Sequence, residues 1–296
     1  MKAITMLDTI RSQLGVPACA IPLSVCRISK GYLLERAGIP PTGTAILFAI
    51  PYVMTADVND QARNLSLYAV PRDYHGYAAE LGNTLLPDLR DTYPAYTFAL
   101  FSDHSPILEA DAAARSGLGV LGDFGLLITP DYGSFVFLFE IVTSADYTAV
   151  TGNSVPTFPA SPPSCERCGA CTRACPAGCR DGDRTACLSS LTQKKGELTP
   201  SEIRAILRGG LVWGCDACQL ACPHNRAVLA AEKDTAVPYF RENRQIRLDT
   251  ASLEAMTDQE FSARAYAWRG KNTIRRNLAI MEERGNDESY EERREP

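Results

Sequence analysis

Cys165-Glu166-Arg167-Cys168-Gly169-Ala170-Cys171-Thr172-Arg173-Ala174-Cys175-Pro176 is the stretch that decides how this chain of 296 residues is read. A second group follows: Cys187, a long gap, then Cys215-Asp216-Ala217-Cys218-Gln219-Leu220-Ala221-Cys222-Pro223. Together the two groups hold eight of the eleven cysteines. A 4Fe–4S cluster needs four thiolates converging on one cube, three from a tight turn and a fourth from elsewhere. In the bacterial two-cluster run, the cysteine before the proline ligates the other cluster. On that rule Cys165, Cys168, Cys171 and Cys222 hold one cluster, and Cys187, Cys215, Cys218 and Cys175 hold the second. Crossed ligation ties distant segments together, so the clusters are staples as well as redox centres. Cys179 is left over and reads as a small packed residue.

Two other chemistries use the same residue type. Zinc ribbons take four cysteines in two CxxC pairs, whereas here four crowd into one short run and each group ends in Cys-Pro. A disulfide framework belongs to small, loop-rich secreted chains, and this chain is neither short nor loop-rich. Two 4Fe–4S clusters are the better expectation.

Outward from the cysteines, 45% hydrophobic and 22% charged residues describe an ordinary chain with a real core. No apolar run reaches the length of a membrane span, so no membrane association is expected. Met1 to Leu14 is broken by Asp8, Arg11 and Gln13, which does not suit a signal peptide. Its Ile4, Leu7, Ile10 and Leu14 fall near helical spacing instead. Reduced clusters and free thiols persist in the cytoplasm, the expected compartment. The net charge of −5 is uneven. Residues 282–296 are acidic and almost free of apolar side chains, and read as a disordered tail. Basic residues outnumber acidic ones in 161–226 and again in 241–280, so a polyanionic partner is compatible with the acidic total.

Residues 1–150 read as an α/β (α+β) domain with a mixed sheet. Ala45 to Ile50 suits a buried strand stopped by Pro51, and Tyr96 to Phe101 a second. Leu65 to Leu86 has helical stretches, and Ile107 to Arg115 suits a helix ended by Gly117. Leu126–Thr129 and Ser134–Val142 resemble a hairpin turned at 130–133, whose second strand is apolar on both faces and therefore central. Prolines make 151–163 a stiff linker. A mostly helical, ferredoxin-like double-cluster domain is expected over 164–230, with a helical extension over 231–281. Within it Thr199, Pro200 and Glu202 announce a capped helix that Gly209 and Gly210 stop.

Clusters alone make an electron-transfer module, and the domain ahead of them should bind whatever receives the electrons. Phe101-Ser102-Asp103-His104-Ser105-Pro106 lies at the end of an expected strand, where α/β sheets present functional groups. Asp103 would donate a proton in a two-electron reduction if burial raised its pKa; alternatively Asp103 or Ser105 merely caps the next helix. His75 and His104 read as metal ligands or as ordinary polar contacts. The glycines of Gly117-Leu118-Gly119-Val120-Leu121-Gly122 allow close backbone approach to a ligand, without matching the dinucleotide fingerprint.

Several segments then resemble the epoxyqueuosine reductase family, cobalamin-dependent iron–sulfur enzymes that perform the last step of queuosine synthesis on tRNA. Arg63-Asn64-Leu65-Ser66-Leu67-Tyr68-Ala69-Val70-Pro71-Arg72-Asp73-Tyr74-His75 is similar to the family's ISRYAxGxDYH. Asp103-His104-Ser105-Pro106-Ile107-Leu108-Glu109 resembles DTGPLLE, and Arg115 to Gly119 resembles KAGLG. Tyr132-Gly133-Ser134 to Glu140-Ile141 resembles GSWFFLGEI, and the cysteine groups match as well. The resemblance runs from about Ala45 to Met281. It implies base-off cobalamin reduced by the clusters, with Ser66, Asp103, Gly119, Gly122, Leu127, Leu138 and Asp216 as its contacts. It also makes Asp103 the proton donor as the epoxide oxygen leaves as water. A flavodoxin or ferredoxin is the implied electron donor, and tRNA the implied substrate, with Arg269, Lys271, Arg275 and Arg276 as phosphate contacts or else a solvated helix face. Departures occur at Gly122-Asp123-Phe124-Gly125, at His104-Ser105, at Cys222-Pro223-His224-Asn225, and in the lack of the helical repeats with which many members continue. The alternatives are a corrinoid reductase of another substrate, such as a reductive dehalogenase-like enzyme, and a non-catalytic iron–sulfur electron carrier.

Overall fold

The computed structural model describes residues 4–179 and 185–286, with side chains up to 282. The chain packs as two units, Met1–Pro51 with Tyr74–Cys168, and Tyr52–Asp73 with Gly169–Pro296. The division therefore does not follow the linear order expected from the proline-rich stretch. Backbone pairing accounts for the excursion of Tyr52–Asp73: the Ser66 N–H donates to the Trp213 carbonyl (2.9 Å) and the Val212 N–H to that of Asn64 (2.7 Å).

The first unit is built on a four-stranded sheet of β1 (Ala18–Pro22), β2 (Thr44–Pro51), β3 (Phe98–Phe101) and β6 (Val136–Thr143), in the order β1-β2-β6-β3. A small ribbon pairs β4 (Val120–Leu121) with β5 (Leu127–Ile128). Strand and helix content fit the α/β expectation, but every pairing in the sheet is antiparallel rather than mixed. The reason is the place of β6. β2 and β3 both run antiparallel to it, hence parallel to each other, and the long crossover that parallel strands require here spans two strand positions, leaving the gap that β6 fills. β1 escapes sequence reading because its run is short and ends in Pro22, which an edge strand tolerates.

β6 is central, as its doubly apolar run implied. On one side α2 (Tyr74–Thr92) covers it, Tyr74 stacking on Phe137 at 4.5 Å between ring centroids and Tyr77 meeting Phe139 edge-on at 5.8 Å. On the other, Val136, Leu138 and Val142 pack in one cluster with Ala112, Ala113 and Ala114 of α3 (Glu109–Arg115). Full burial of a side chain such as Phe139 contributes roughly 1.5–3 kcal/mol. The expected hairpin survives only as the Thr129–Gly133 bridge. β5 pairs backwards with β4 because Gly119 lacks a side chain; a Cβ there would overlap the Ile128 carbonyl. Near the N-terminus α1 (Met6–Leu14) is closed by a Thr5–Asp8 capping box, which leaves Ile4 outside the helix and 81% exposed.

The second unit is helical. Its helices include α4 (Ala170–Ala174), α5 (Leu188–Gln193), α6 (Pro200–Gly209), α7 (Ala217–Ala221), α8 (Thr250–Ala255), α9 (Asp258–Ser262) and α10 (Lys271–Asn286). α6 has the expected ends: a Thr199–Glu202 capping box, and Gly210 at φ 71° closing it. Trp213 and Tyr266 are fully buried among Leu65, Val70, Leu253, Ile274 and Leu278, and the Trp213 indole donates to the Tyr68 hydroxyl at 2.7 Å. Asn277, also fully buried, donates its amide hydrogens to the carbonyls of Thr192 (2.8 Å) and Val212 (2.9 Å), as a buried amide must if its burial is not to be costly. α10 runs past the expected start of the acidic tail; residues 287–296, the rest of that tail, lie outside those described. Among the described residues no helix is long and apolar enough to cross a membrane.

The four cations read as phosphate contacts have partners of their own. Arg275 forks onto Glu254, Arg276 donates to the carbonyls of Lys194 (2.7 Å) and Gly196 (2.6 Å), Lys271 to that of Met256 (3.1 Å), and Arg269 stacks 3.7 Å over Trp268. Arg276 thus tethers the loop after α5 to α10. Arg276→Met is expected to cost about 1.5–3 kcal/mol, measured by urea unfolding, whereas Arg275→Met, exposed on a helix face, should cost under about 1 kcal/mol.

Candidate active site and cluster ligands

The two Cys-Pro sequences have the same local structure. Cys175 ends α4 at φ −70°, ψ 112°, and Cys222 ends α7 at φ −68°, ψ 128°. Both are extended because the proline ring that follows disfavours the helical region for the residue before it. α4 and α7 pack against each other, so the cysteine closing each short helix is carried towards the other helix. Cys171, on α4, and Cys222 are buried.

Within the second unit Cys175, Cys187, Cys215 and Cys218 come near enough to act on one another. Burial pushes the Cys218 thiol up to about 12, with Cys215, Cys187 and Cys175 adding to it. Burial likewise lifts Cys215 to about 11, and Cys187 and Cys175 contribute. At Cys175 burial is outweighed by the backbone amides of Cys179 and Ala177 and by the Cys179 side chain, which hold its pKa below the usual thiol range. Cys179 therefore packs against a ligand candidate. No trio of Cys, His, Asp or Glu among the described residues is set to hold a single metal ion. In the first unit the Cys165 N–H donates to the Leu121 carbonyl at 3.0 Å, and Cys168 is exposed.

Asp216, between Cys215 and Ala217, is 2% exposed. It accepts from Arg63 at 2.7 Å and from the Leu67 N–H at 3.0 Å. Burial raises its pKa, and the Arg63 guanidinium opposes the rise. This ion pair fastens the Arg63–Leu67 segment to the second cysteine group. Ser66 is fully buried beside Gly214, and its hydroxyl has no hydrogen-bond partner among the described residues. A Cβ on Gly214, at φ 76°, would collide with that side chain.

The acid singled out at the end of β3 is exposed rather than buried. Asp103 has φ 62°, a left-handed conformation that Asp and Asn adopt more readily than other side chains. Its N–H donates to Glu109 Oε1 at 3.0 Å, which holds the turn. Asp103 therefore does not cap α3; the Ser105 hydroxyl takes the Ile107 N–H instead, at 3.0 Å. His104 lies between the Lys30 ammonium (3.1 Å from Nδ1) and the Tyr32 hydroxyl (2.9 Å from Nε2), an ordinary polar contact. His75 stacks with Tyr74 at 4.2 Å. Leu127 and Gly122 are buried within the first unit, while Gly119 and Leu138 are half-buried.

Behind Asp103 lies a feature that reading by motif passed over. Glu140 is fully buried on β6, on the face carrying Leu138 and Val142, and among the described residues neither of its carboxylate oxygens accepts a hydrogen bond. Burial, then the charge of Glu109, pushes its pKa well above the usual carboxylate range. Burial also raises Glu109, against the pull of the Asp103 N–H. The sign of the trouble was present in the sequence: one acid inside the otherwise apolar run Phe135–Val142.

Residues 164–225 match the 4Fe-4S double cluster binding domain. With the paired Cys-Pro helices, this makes the chain a double-cluster iron–sulfur protein joined to an α/β unit. A crystal structure of epoxyqueuosine reductase with an epoxyqueuosine-modified tyrosine tRNA stem loop shares the fold, with a TM-score of 0.67 at 24% identity over 96% of this chain and 81% of that one. The epoxyqueuosine reductase of Francisella cf. novicida is 30% identical over 82% of this chain and 69% of its own length. That of Burkholderia pseudomallei is 36% identical over 58% of this chain. The chain belongs to the epoxyqueuosine reductase family. It spans 43% of the Burkholderia relative and, more generally, about half to two thirds of the length of the curated relatives it matches.

Proposed function

We propose that this chain is an iron–sulfur and cobalamin-dependent reductase that removes the epoxide oxygen of epoxyqueuosine in tRNA. The observation that carries the reading is Asp103: an exposed carboxyl at the end of β3, in a left-handed turn that Glu109 holds, in a chain of this family. Epoxide reduction to an alkene breaks two C–O bonds, forms a C=C bond, and takes up two electrons and two protons as the oxygen leaves as water. Asp103 gives one proton to that oxygen.

For the iron–sulfur groups the donor chemistry fits. Cys165, Cys168, Cys171 and Cys222 would hold one cluster, and Cys175, Cys187, Cys215 and Cys218, whose thiols already influence one another, the other. Iron binding would deprotonate the Cys215 and Cys218 thiols, which burial otherwise keeps neutral. For cobalamin the fit rests on the unpartnered Ser66 hydroxyl and, in the first unit, on the half-buried Gly119 and Leu138 and the exposed Asp103. Gly122 and Leu127 in the first unit and Asp216 in the second, the other candidate contacts, are each packed within their own unit. When bound, cobalamin supplies a strongly reducing cobalt centre, and the clusters supply electrons singly from a flavodoxin or ferredoxin.

Anaerobic reconstitution with iron, sulfide and cobalamin, followed by metal analysis and incubation with epoxyqueuosine-containing tRNA, tests the reading. About eight irons per chain, bound cobalt and queuosine in the product tRNA are expected. Cobalt with no conversion would point to a corrinoid reductase of another substrate. Iron without cobalt would point to an electron carrier.

A further inference from the structure

We propose that Lys30 and Tyr32, oriented by the His104 ring between them, clamp a phosphate of the tRNA loop beside Asp103. The proposal rests on the reduction assigned above and names residues of the first unit that seat its substrate. Lys30 and Tyr32 precede the segments that resemble the family, and His104 is one of the departures within them. The clamp is therefore a feature of this chain.

Backbone pairing fixes the segment that carries both side chains to the loop of the acid. The Ser29 and Lys30 N–H groups donate to the Pro106 carbonyl at 2.8 and 3.2 Å, and the Leu108 N–H donates to that of Arg27 at 2.9 Å. Ile28 bridges to Ile107, and the Ser29 hydroxyl donates to the Ser105 carbonyl at 3.0 Å. Tyr32 then opens the short helix Tyr32–Arg36. His104 follows Asp103 directly, so the clamp gathers next to the acid and inside one unit.

The hydrogen bonds decide which atoms are left for a ligand. An ammonium has donors only, so Lys30 Nζ, 3.1 Å from His104 Nδ1, donates and Nδ1 accepts. The ring hydrogen then sits on Nε2, 2.9 Å from the Tyr32 hydroxyl, which accepts it and keeps its own hydrogen to give. Among the described residues Lys30 has no carboxylate partner. Its remaining N–H bonds and the Tyr32 O–H are all donors, one set on a cation, and such a set suits a phosphate oxygen. Acids nearby are engaged elsewhere: Glu109 takes the Asp103 N–H, and Asp111 lies 3.5 Å from Arg27. Residues 27–36 carry Arg27, Lys30 and Arg36 against Glu35 alone, a balance that favours a polyanion. Tyr32 is 48% exposed, and Ile28 and Leu108 are exposed on the same paired segments. A cation for the phosphate and an open aromatic ring for the base is how single-stranded RNA is held. His104 touches no substrate in this scheme. It is a positioning residue that orders Lys30 and Tyr32 in advance, which lowers the cost of binding.

The test uses the reconstituted full chain and a labelled tRNA stem-loop RNA, with and without epoxyqueuosine, its affinity measured over a series of salt concentrations. Lys30→Met should weaken binding about tenfold at low salt. It should also flatten the slope of log K against log salt by about 0.7–0.9, the counterions of one phosphate. Lys30→Arg should restore the slope. Tyr32→Phe keeps the ring and should weaken binding about two- to tenfold at unchanged slope, since no charge is lost. His104→Phe should weaken binding too, but have no further effect once Lys30→Met and Tyr32→Phe are present, which separates positioning from a general loss of structure. In turnover KM should rise with kcat retained, as when binding is lost alike in ground and transition states. A wild-type slope in Lys30→Met, or equal losses in Lys30→Arg and Lys30→Met, would overturn the clamp; conversion of epoxyqueuosine by wild type would then leave the reduction standing. A loss confined to epoxyqueuosine-containing RNA would assign the donors to the hydroxyls of the nucleoside and overturn the phosphate contact. The expected change of slope without conversion by wild type would leave the clamp standing and remove the reduction. No RNA binding by wild type would overturn both.

Discussion

Asp103→Asn is expected to lower kcat for epoxyqueuosine reduction by about 10²- to 10⁴-fold, the contribution of a positioned general acid. The substitution is chosen for its backbone. Asp103 sits at φ 62°, and asparagine accepts the left-handed region about as readily as aspartate. The N–H that Glu109 holds at 3.0 Å is retained, so the turn keeps its shape and only the transferable proton disappears. Iron and cobalt content should be unchanged, and KM should move little. The assay is single-turnover conversion of epoxyqueuosine-containing tRNA by protein with fully reduced clusters, so that electron supply does not limit the rate. A wild-type rate constant in Asp103→Asn would remove Asp103 as the donor. Asp103→Ala would be a poorer choice, because alanine is more strained at positive φ and the loop itself would change.

Arg63→Met should destabilise the second unit by about 3–5 kcal/mol, the usual consequence of stranding one member of a buried ion pair. Arg63 and Asp216 have side chains only 10% and 2% exposed, so water screens the pair little and cannot replace the lost partner. Asp216 also takes the Leu67 N–H, and its neighbours in sequence include the ligand candidates Cys215 and Cys218. The expected result is a large drop in the urea midpoint together with loss of iron, since metal binding is coupled to folding and the second cysteine group is no longer fastened to Arg63–Leu67. The deficit should shrink as pH falls. Burial already raises the Asp216 pKa, and without Arg63 the residue escapes its charge by taking a proton. Exchanging both residues for apolar ones of similar volume should be milder than Arg63→Met alone. Equal stability of wild type and Arg63→Met would show that the pair contributes nothing.

The cysteine spacing and the short apolar runs are local facts, and local facts can be read from a sequence. Cys-Pro imposes an extended backbone on its own, a capping box needs only Thr199 and Glu202, and an eight-residue strand without charges except Glu140 has to lie in the middle of a sheet. The glycines of 117–122 are legible as points of close approach, but what approaches Gly119 is the chain's own Ile128 carbonyl. The missing information was the identity of the neighbour. The same holds for Arg275 and Arg276, exposed cations by composition that turn out to be partnered with Glu254 and with the Lys194 and Gly196 carbonyls.

The linear order of residues thus made the candidate chemistry legible: cysteines in cluster spacing, an acid at a strand end, and the motifs of a redox family. Folding in three dimensions was needed to show that Tyr52–Asp73 leaves the sheet unit to pair with Trp213, that β6 enters between β2 and β3, and that Asp103 is exposed while Glu140 is buried behind it. The physical reason is the range of the interactions. Capping, proline geometry and cysteine spacing act over a few residues. Burial, ion pairing and the ionisation of Glu140 depend on groups far apart in the chain, and those become neighbours only when it folds.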